Sequence, residues 1–123
     1  MFKFLKYIND RGGRAVIAAI DAPGADPSDI QDCLHRTLQH EIDNSKAIDA
    51  IVNLAHEEKD WATFNFGQWF VREQIEEETL VNQVLDKYSL AARGHEKTAN
   101  LYDLDRDMSH APQEADIPRQ AEL

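Results

Sequence analysis

Residues 70–85 read FVREQIEEETLVNQVL. Aromatic and aliphatic side chains recur at helical spacing, yet the middle of the stretch holds Gln74 and the glutamates Glu73, Glu76, Glu77 and Glu78. Followed outward, the stripe runs Phe66, Phe70, Glu73, Glu77, Leu80 and Val84, in alternating steps of four and three. That rhythm marks a helix face buried in a bundle. Trp69, Gln74, Val81, Leu85 and Tyr88 widen the face. The pattern predicts a helix from about Ala62 to Ala92, closed by Gly94.

Upstream of a short polar turn, EEKDWAT, a second stripe has the same rhythm: Leu34, Leu38, Glu41, Ser45, Ile48, Val52 and Ala55. Ser28 followed by Gln31 reads as a capping box opening this helix, which continues to about Glu58. It is roughly 45 Å long at the α-helical rise. A short loop between two long helices makes an antiparallel hairpin. The chain opens on a further amphipathic stretch, with Phe2, Leu5 and Ile8 in step and Gly12 and Gly13 as its stop. Beginning at Met1 without an N-cap, this segment has the form of the end of a longer helix. AIDAPGADPSD is a connection. KTANLYDLDRDM predicts a short helix on Leu101, Leu104 and Met108. The last stretch, SHAPQEADIPRQAEL, has two prolines and few large apolar residues, and is expected to be a disordered tail. The reading is therefore all-α, with one partial domain over 1–108 and a tail over 109–123. One hairpin has one seam and cannot bury two wide stripes. Further helices, most simply from a second copy of the chain, must complete the bundle.

Composition narrows the function. Acidic residues outnumber basic ones 23 to 13, a formal net charge of -10. Nucleic acid and anionic membranes need the opposite sign, so neither is expected as a partner. No apolar run approaches the ~20 residues of a membrane span. The single cysteine, Cys33, excludes a disulfide framework and fits a small apolar core residue in a reducing, cytoplasmic setting.

Glu41 in the first stripe and Glu73 and Glu77 in the second pose the chemical question. A buried, unpaired carboxylate costs several kcal/mol, about 3–5 when a partner is missing. Protonation, a basic partner or a metal ion can offset this. Arg72 points off the stripe, Lys46 lies on another face than Glu41, and no basic residue stands in either stripe near the glutamates. A hard or borderline cation on carboxylate oxygens is the economical answer. Glu73 with Glu76, and Glu73 with Glu77, share a helix face and can chelate one ion. Counted from the turn, Glu41 comes level with Gln74 and Glu77 on the facing helix. Glu78 is expected to face solvent, and Glu57 and Glu58 belong to the turn. His35, His40, His56, His95 and His110 show no ligand spacing among themselves. Trp61, Phe64, Phe66, Trp69 and Phe70 read as core.

FLKYINDRGG, LQHEI and above all WATFNFGQWFVREQIEEETLVNQVLDKYSLA resemble the bacterial non-haem ferritins, and LYDLDRDM resembles their short fifth helix. The resemblance runs from Met1 to about Met108. It implies the ferritin-like four-helix bundle, present here as a half-bundle: the end of the second helix, then the third, fourth and fifth. In that family, iron(II) is oxidised by oxygen at a dinuclear centre and stored as a ferric mineral inside a 24-subunit shell. The family's ligand plan takes one Glu from each of two helices and Glu-x-x-His from each of the other two. By resemblance Glu41 is the third-helix ligand. Gln74 and Glu77 fall in the second-iron region, and Glu73, Glu76 and Glu77 match an additional inner iron site. The first-helix glutamate and the Glu-x-x-His have no counterpart here, so a complete centre within one chain is not expected and ferroxidase activity is expected to be impaired. Two accounts remain open: a truncated ferritin, or a half-ferritin whose copies pair around a shared carboxylate site. The expected cargo is non-haem iron (Fe2+/Fe3+). The expected partner is another copy, from a dimer up to the shell, or a companion ferritin chain. A non-catalytic helical assembly module is the alternative.

Overall fold

The computed structural model describes residues 2–93 and 97–110. It contains α1 (Phe2–Asp10), α2 (Ile30–Glu57), α3 (Trp61–Arg93) and α4 (Lys97–Ser109), with no strand among the described residues. The expected all-α architecture is the one observed. The expected tail lies outside the described residues from 111 onward, as does Gly94.

α1 ends at the expected glycines. Gly13 N–H donates to Ile8 O at 2.9 Å and Gly12 N–H to Asn9 O at 3.0 Å, closing the last turn in a Schellman motif. Gly12 holds the left-handed position at φ 79°, which suits a residue without Cβ. α2 starts one residue later than Ser28 would place it. The N-cap is Asp29, whose carboxylate accepts from Asp32 N–H at 2.8 Å, while Asp32 accepts from Ser28 N–H at 2.9 Å. Two carboxylates at the positive end of the helix displace the neutral Ser–Gln pair because charge-assisted bonds are stronger. Arg36 holds Asp32 at 2.8 Å and donates to Ala25 O at 2.7 Å, tying the preceding loop to the helix.

The α2–α3 turn is a second Schellman motif, with Asp60 N–H donating to Ala55 O at 2.9 Å and Lys59 in the left-handed position at φ 56°. Asp60 then caps α3, accepting from Thr63 N–H at 3.1 Å and Thr63 Oγ1 at 2.6 Å. The two long helices run antiparallel. Gly67 of α3 packs directly on Val52 of α2, and Ser45 meets Gln74. Both pairs are centred on the Lys59–Asp60 turn, which fixes the register.

α1 lies across the start of α3 through its rings. Phe4 stacks on Phe70 at 4.3 Å and meets Phe66 edge-on at 5.5 Å, and Tyr7 stacks on Phe66 at 4.0 Å. Thr63 already donates to Asp60, so the Tyr7 hydroxyl, 3.0 Å away, donates to Thr63. Arg11 reaches Asp60 at 3.5 Å. α4 packs on α3 with Leu101 and Leu104 half-buried, whereas Met108 is exposed.

Every residue of the α2 stripe is buried or half-buried. On α3 the seam runs through Gly67, Gln74, Val81 and Leu85. Phe66, Phe70, Glu73, Glu77 and Val84 lie beside it and are half-buried, but Leu80 is 57% exposed. It faces the side of α3 that α1 covers only near Phe66 and Phe70. Ala55, Gly67 and Leu85 are the buried residues among those described, and none of these is a large side chain fully enclosed. The hairpin has a seam but no interior of its own.

Candidate metal centre

The polar residues of the seam meet halfway along the hairpin. Glu41 lies in α2 and Gln74 in α3, both half-buried. Gln74 Nε2 donates to Glu41 Oε2 at 3.1 Å, to Glu41 O at 3.1 Å, and to Ser45 Oγ at 3.3 Å. Asn44 Nδ2 donates to Glu41 Oε2 at 3.3 Å. The expectation that Glu41 and Gln74 stand level is met.

Glu78 does not face solvent as expected. It is half-buried and accepts a short hydrogen bond from Ser45. Glu78 stands one turn beyond Gln74, so it shares the seam face. The i,i+4 relation to Gln74 was a signal in the sequence, as was the hydroxyl of Ser45 in an otherwise apolar run. A groove of about 360 Å³ opens beside these residues, lined by Ser45, Ile48, Asp49, Gln74, Ile75 and Glu78 among others.

Glu73 and Glu77 are half-buried on the neighbouring face of α3, and Glu76 is exposed. Among the described residues, no three His, Cys, Asp or Glu side chains gather closely enough to hold a metal ion. Neither Glu41 nor Glu78 has a basic ion-pair partner among the described residues. Lys46 pairs with Asp43 at 3.0 Å, and hydrogen bonds from Lys46 and Gln39 hold the Asp43 carboxyl below its usual range. His35, His40 and His56 are exposed, and so is Cys33, against the expectation that it packs in the core. Of the aromatic residues expected in the core, Phe64, Phe66, Trp69 and Phe70 are half-buried, and Trp61 is 60% exposed.

What the pairing offers chemically is one carboxylate, Glu41, whose Oε2 accepts from the amide groups of Gln74 and Asn44. Carboxylate oxygens suit hard and borderline cations. The family model for the ferritin-like domain matches residues 1–91.

The chain belongs to the ferritin-like family.

A bacterial non-haem ferritin-like protein of Haemophilus influenzae is 36% identical to this ferritin-like chain over 110 residues, which cover 89% of it. The bacterial non-haem ferritin of Escherichia coli O6:H1 is 34% identical over 109 residues, again 89% of the chain. The matched stretch spans 65% and 64% of those two proteins. In three dimensions, the open-pore ferritin of Archaeoglobus fulgidus superimposes with a TM-score of 0.82 at 32% identity, covering 90% of this chain and 67% of that one. The ferritin-like fold and the kinship with bacterial non-haem ferritins are thus established. No helix among the described residues is long and apolar enough to cross a membrane.

Proposed function

We propose that this chain binds iron and serves iron storage as part of a ferritin assembly, with Glu41, Gln74 and Glu77 belonging to the centre where iron(II) is oxidised. Glu73 and Glu76 are assigned to an accessory iron site beside it. One observation carries the reading. Glu41 is half-buried without a basic partner, and its carboxylate is level with Gln74 across the seam. A cation on the Glu41 carboxylate would offset the cost of holding that charge there. Relatives named as bacterial non-haem ferritins supply the identity of the cation. Two adjacent iron(II) ions would share the two-electron reduction of oxygen, each giving one electron, while carboxylate oxygens stabilise the iron(III) formed.

The remaining ligands must come from outside the residues described. We assign them to neighbouring copies of this chain or to a companion ferritin chain, within an oligomer that can extend to the shell, in the cytoplasm. The domain is taken as residues 1–108, followed by a tail. A second reading is a non-catalytic assembly module, or a half-ferritin dimer around a shared carboxylate site. It is favoured by the scarcity of buried residues in the hairpin.

The test is aerobic loading of the purified protein with iron(II). Oxygen uptake faster than buffer autoxidation, with iron retained on the protein after gel filtration, is the expected result. Uptake at the buffer rate with retained iron would favour the non-catalytic reading. No retained iron would overturn the proposal.

A further inference from the structure

Residues 11–29, between α1 and α2, have to span most of the length of the hairpin. Arg11 reaches Asp60 at 3.5 Å, so the connection leaves from the α2–α3 turn. It arrives at Ile30, the opposite end of α2. α2 has 28 residues, roughly 42 Å at the helical rise. Coiled as a helix, residues 11–29 would reach only about 28 Å, whereas as a strand they would reach about 60 Å. The chain from Gly13 to Asp29 is accordingly free of helix and runs extended along the hairpin.

Two anchors hold it. Ala15 N–H donates to Asn9 Oδ1 at 3.2 Å, and Ala25 O accepts from Arg36 at 2.7 Å. Between them, no backbone N–H or C=O of residues 16–24 has a hydrogen-bond partner among the described residues. An extended chain with open backbone groups is a template for another strand. Its side chains are equally uncovered: Val16, Ile17 and Ile20 are 76%, 58% and 84% exposed. β-branched apolar residues suit a paired strand better than a solvated loop.

Whatever covers this edge must itself be extended, because a helix spends its backbone groups on its own turns. Every other described stretch is helix or a short turn. The extended partner that this chain offers is therefore the same segment of a second copy. Charge favours the same choice. Each copy carries -10 overall, yet residues 11–20 hold Arg11 and Arg14 and no acidic residue. Two acidic copies repel least where they meet through such a stretch.

We propose that residues 14–22 of two copies pair as antiparallel strands about a twofold axis through Ala18. In this register Val16 of each copy faces Ile20 of the other, Ile17 faces Ala19, and Ala18 faces its own counterpart. The charged residues Arg14 and Asp21 fall opposite alanines, Ala22 and Ala15. Centring on Ile17 would set Arg14 against Ile20, and centring on Ala19 would set Asp21 against Ile17. Either shift lays a charge on an apolar β-branched side chain. The inference rests on the assembly of copies proposed above and gives it a contact; it involves no metal.

The experiment is disulfide trapping on the full chain in a Cys33→Ser background, oxidised by dissolved oxygen with copper phenanthroline. Ala18→Cys sets two thiols opposite each other, with Cα atoms about 4.5–5.5 Å apart, within reach of a disulfide. It should give a covalent dimer on a non-reducing gel. Ala22→Cys is the control. Its two thiols stand about 26 Å apart along the strands and should stay unlinked. Sedimentation equilibrium gives a second readout. Val16→Glu and Ile20→Lys should each weaken association about 10-fold, because their pair occurs twice about the axis. The double variant sets opposite charges against each other and should recover most of that loss. Copies that associate without trapping at Ala18→Cys, or that trap equally at Ala22→Cys, overturn the strand pair and leave the assembly of copies standing. A double variant as weak as additive singles predict overturns the register. A parent chain that stays monomeric overturns both the strand pair and the assembly.

Discussion

A Cβ atom built on Gly67 would lie 2.6 Å from Val52 Cγ2, closer than side chains pack. The two long helices approach so closely here that α3 has no room for a methyl group. Val52 cannot yield easily, because a β-branched side chain in a helix has one strongly preferred rotamer. Gly67→Ala should destabilise the fold by about 1–3 kcal/mol, despite the better helix propensity of alanine. Val52→Ala in the same chain should recover most of the loss. Urea unfolding of the single and double variants measures this, and an additive double variant would show that the contact does not set the spacing.

The second prediction concerns Lys59, which holds the left-handed position between α2 and α3 at φ 56°. Gly12 occupies the equivalent position after α1. An L-residue there costs about 1–2 kcal/mol, partly offset by the lower entropy of its unfolded chain. Lys59→Gly should therefore stabilise the hairpin by about 0.5–1 kcal/mol. A lower thermal midpoint for the glycine variant would contradict this.

Asp60 ties three elements together, and its effect should depend on pH. The Thr63 hydroxyl and backbone N–H, with Arg11 further off, hold the Asp60 carboxyl below its usual range. Its stabilising contribution is complete above about pH 4, the unfolded value, and is lost as pH falls through the lowered folded value. Asp32 follows the same sign, through Ser28 N–H first and then Arg36. Asp60→Asn keeps a good cap but removes the titrating group. Between pH 5 and pH 2 its midpoint should fall less than that of the parent. Equal slopes would contradict the assignment.

Self-association is the fourth expectation. Ile51, Leu54, Ile75, Leu80 and Leu90 are exposed on the two long helices. At about 25 cal/mol per Å², covering such side chains contributes free energy comparable to the stability of a small domain. Sedimentation at low micromolar concentration should show dimers or larger species, with helicity that falls on dilution. A single 14.0 kDa species with dispersed amide resonances would contradict it.

The hairpin was legible because its stripes carry two signals at once. The four–three rhythm located α2 and α3 to within a residue or two, and the polar EEKDWAT fixed the turn, so Glu41 and Gln74 could be set level by counting. Helix phase was harder. Leu80 belongs to the rhythm but faces outward, because a two-helix contact covers a narrower arc than a full bundle face. Glu78 escapes the rhythm for the related reason that the seam passes through Gln74 and Leu85, not through Glu73 and Leu80. The cap of α2 depended on which neighbouring residue carried charge, a choice among Ser28, Asp29, Gln31 and Asp32 that side-chain geometry decides.

The central claim is that Glu41 and its partners on α3 hold iron. Anaerobic titration of iron(II) into the parent and into the Glu41→Ala, Glu77→Ala double variant tests it most directly. The account predicts that the double variant loses the tightest class of sites while its helicity and assembly are unchanged. A double variant that binds as much iron, as tightly, as the parent would contradict it.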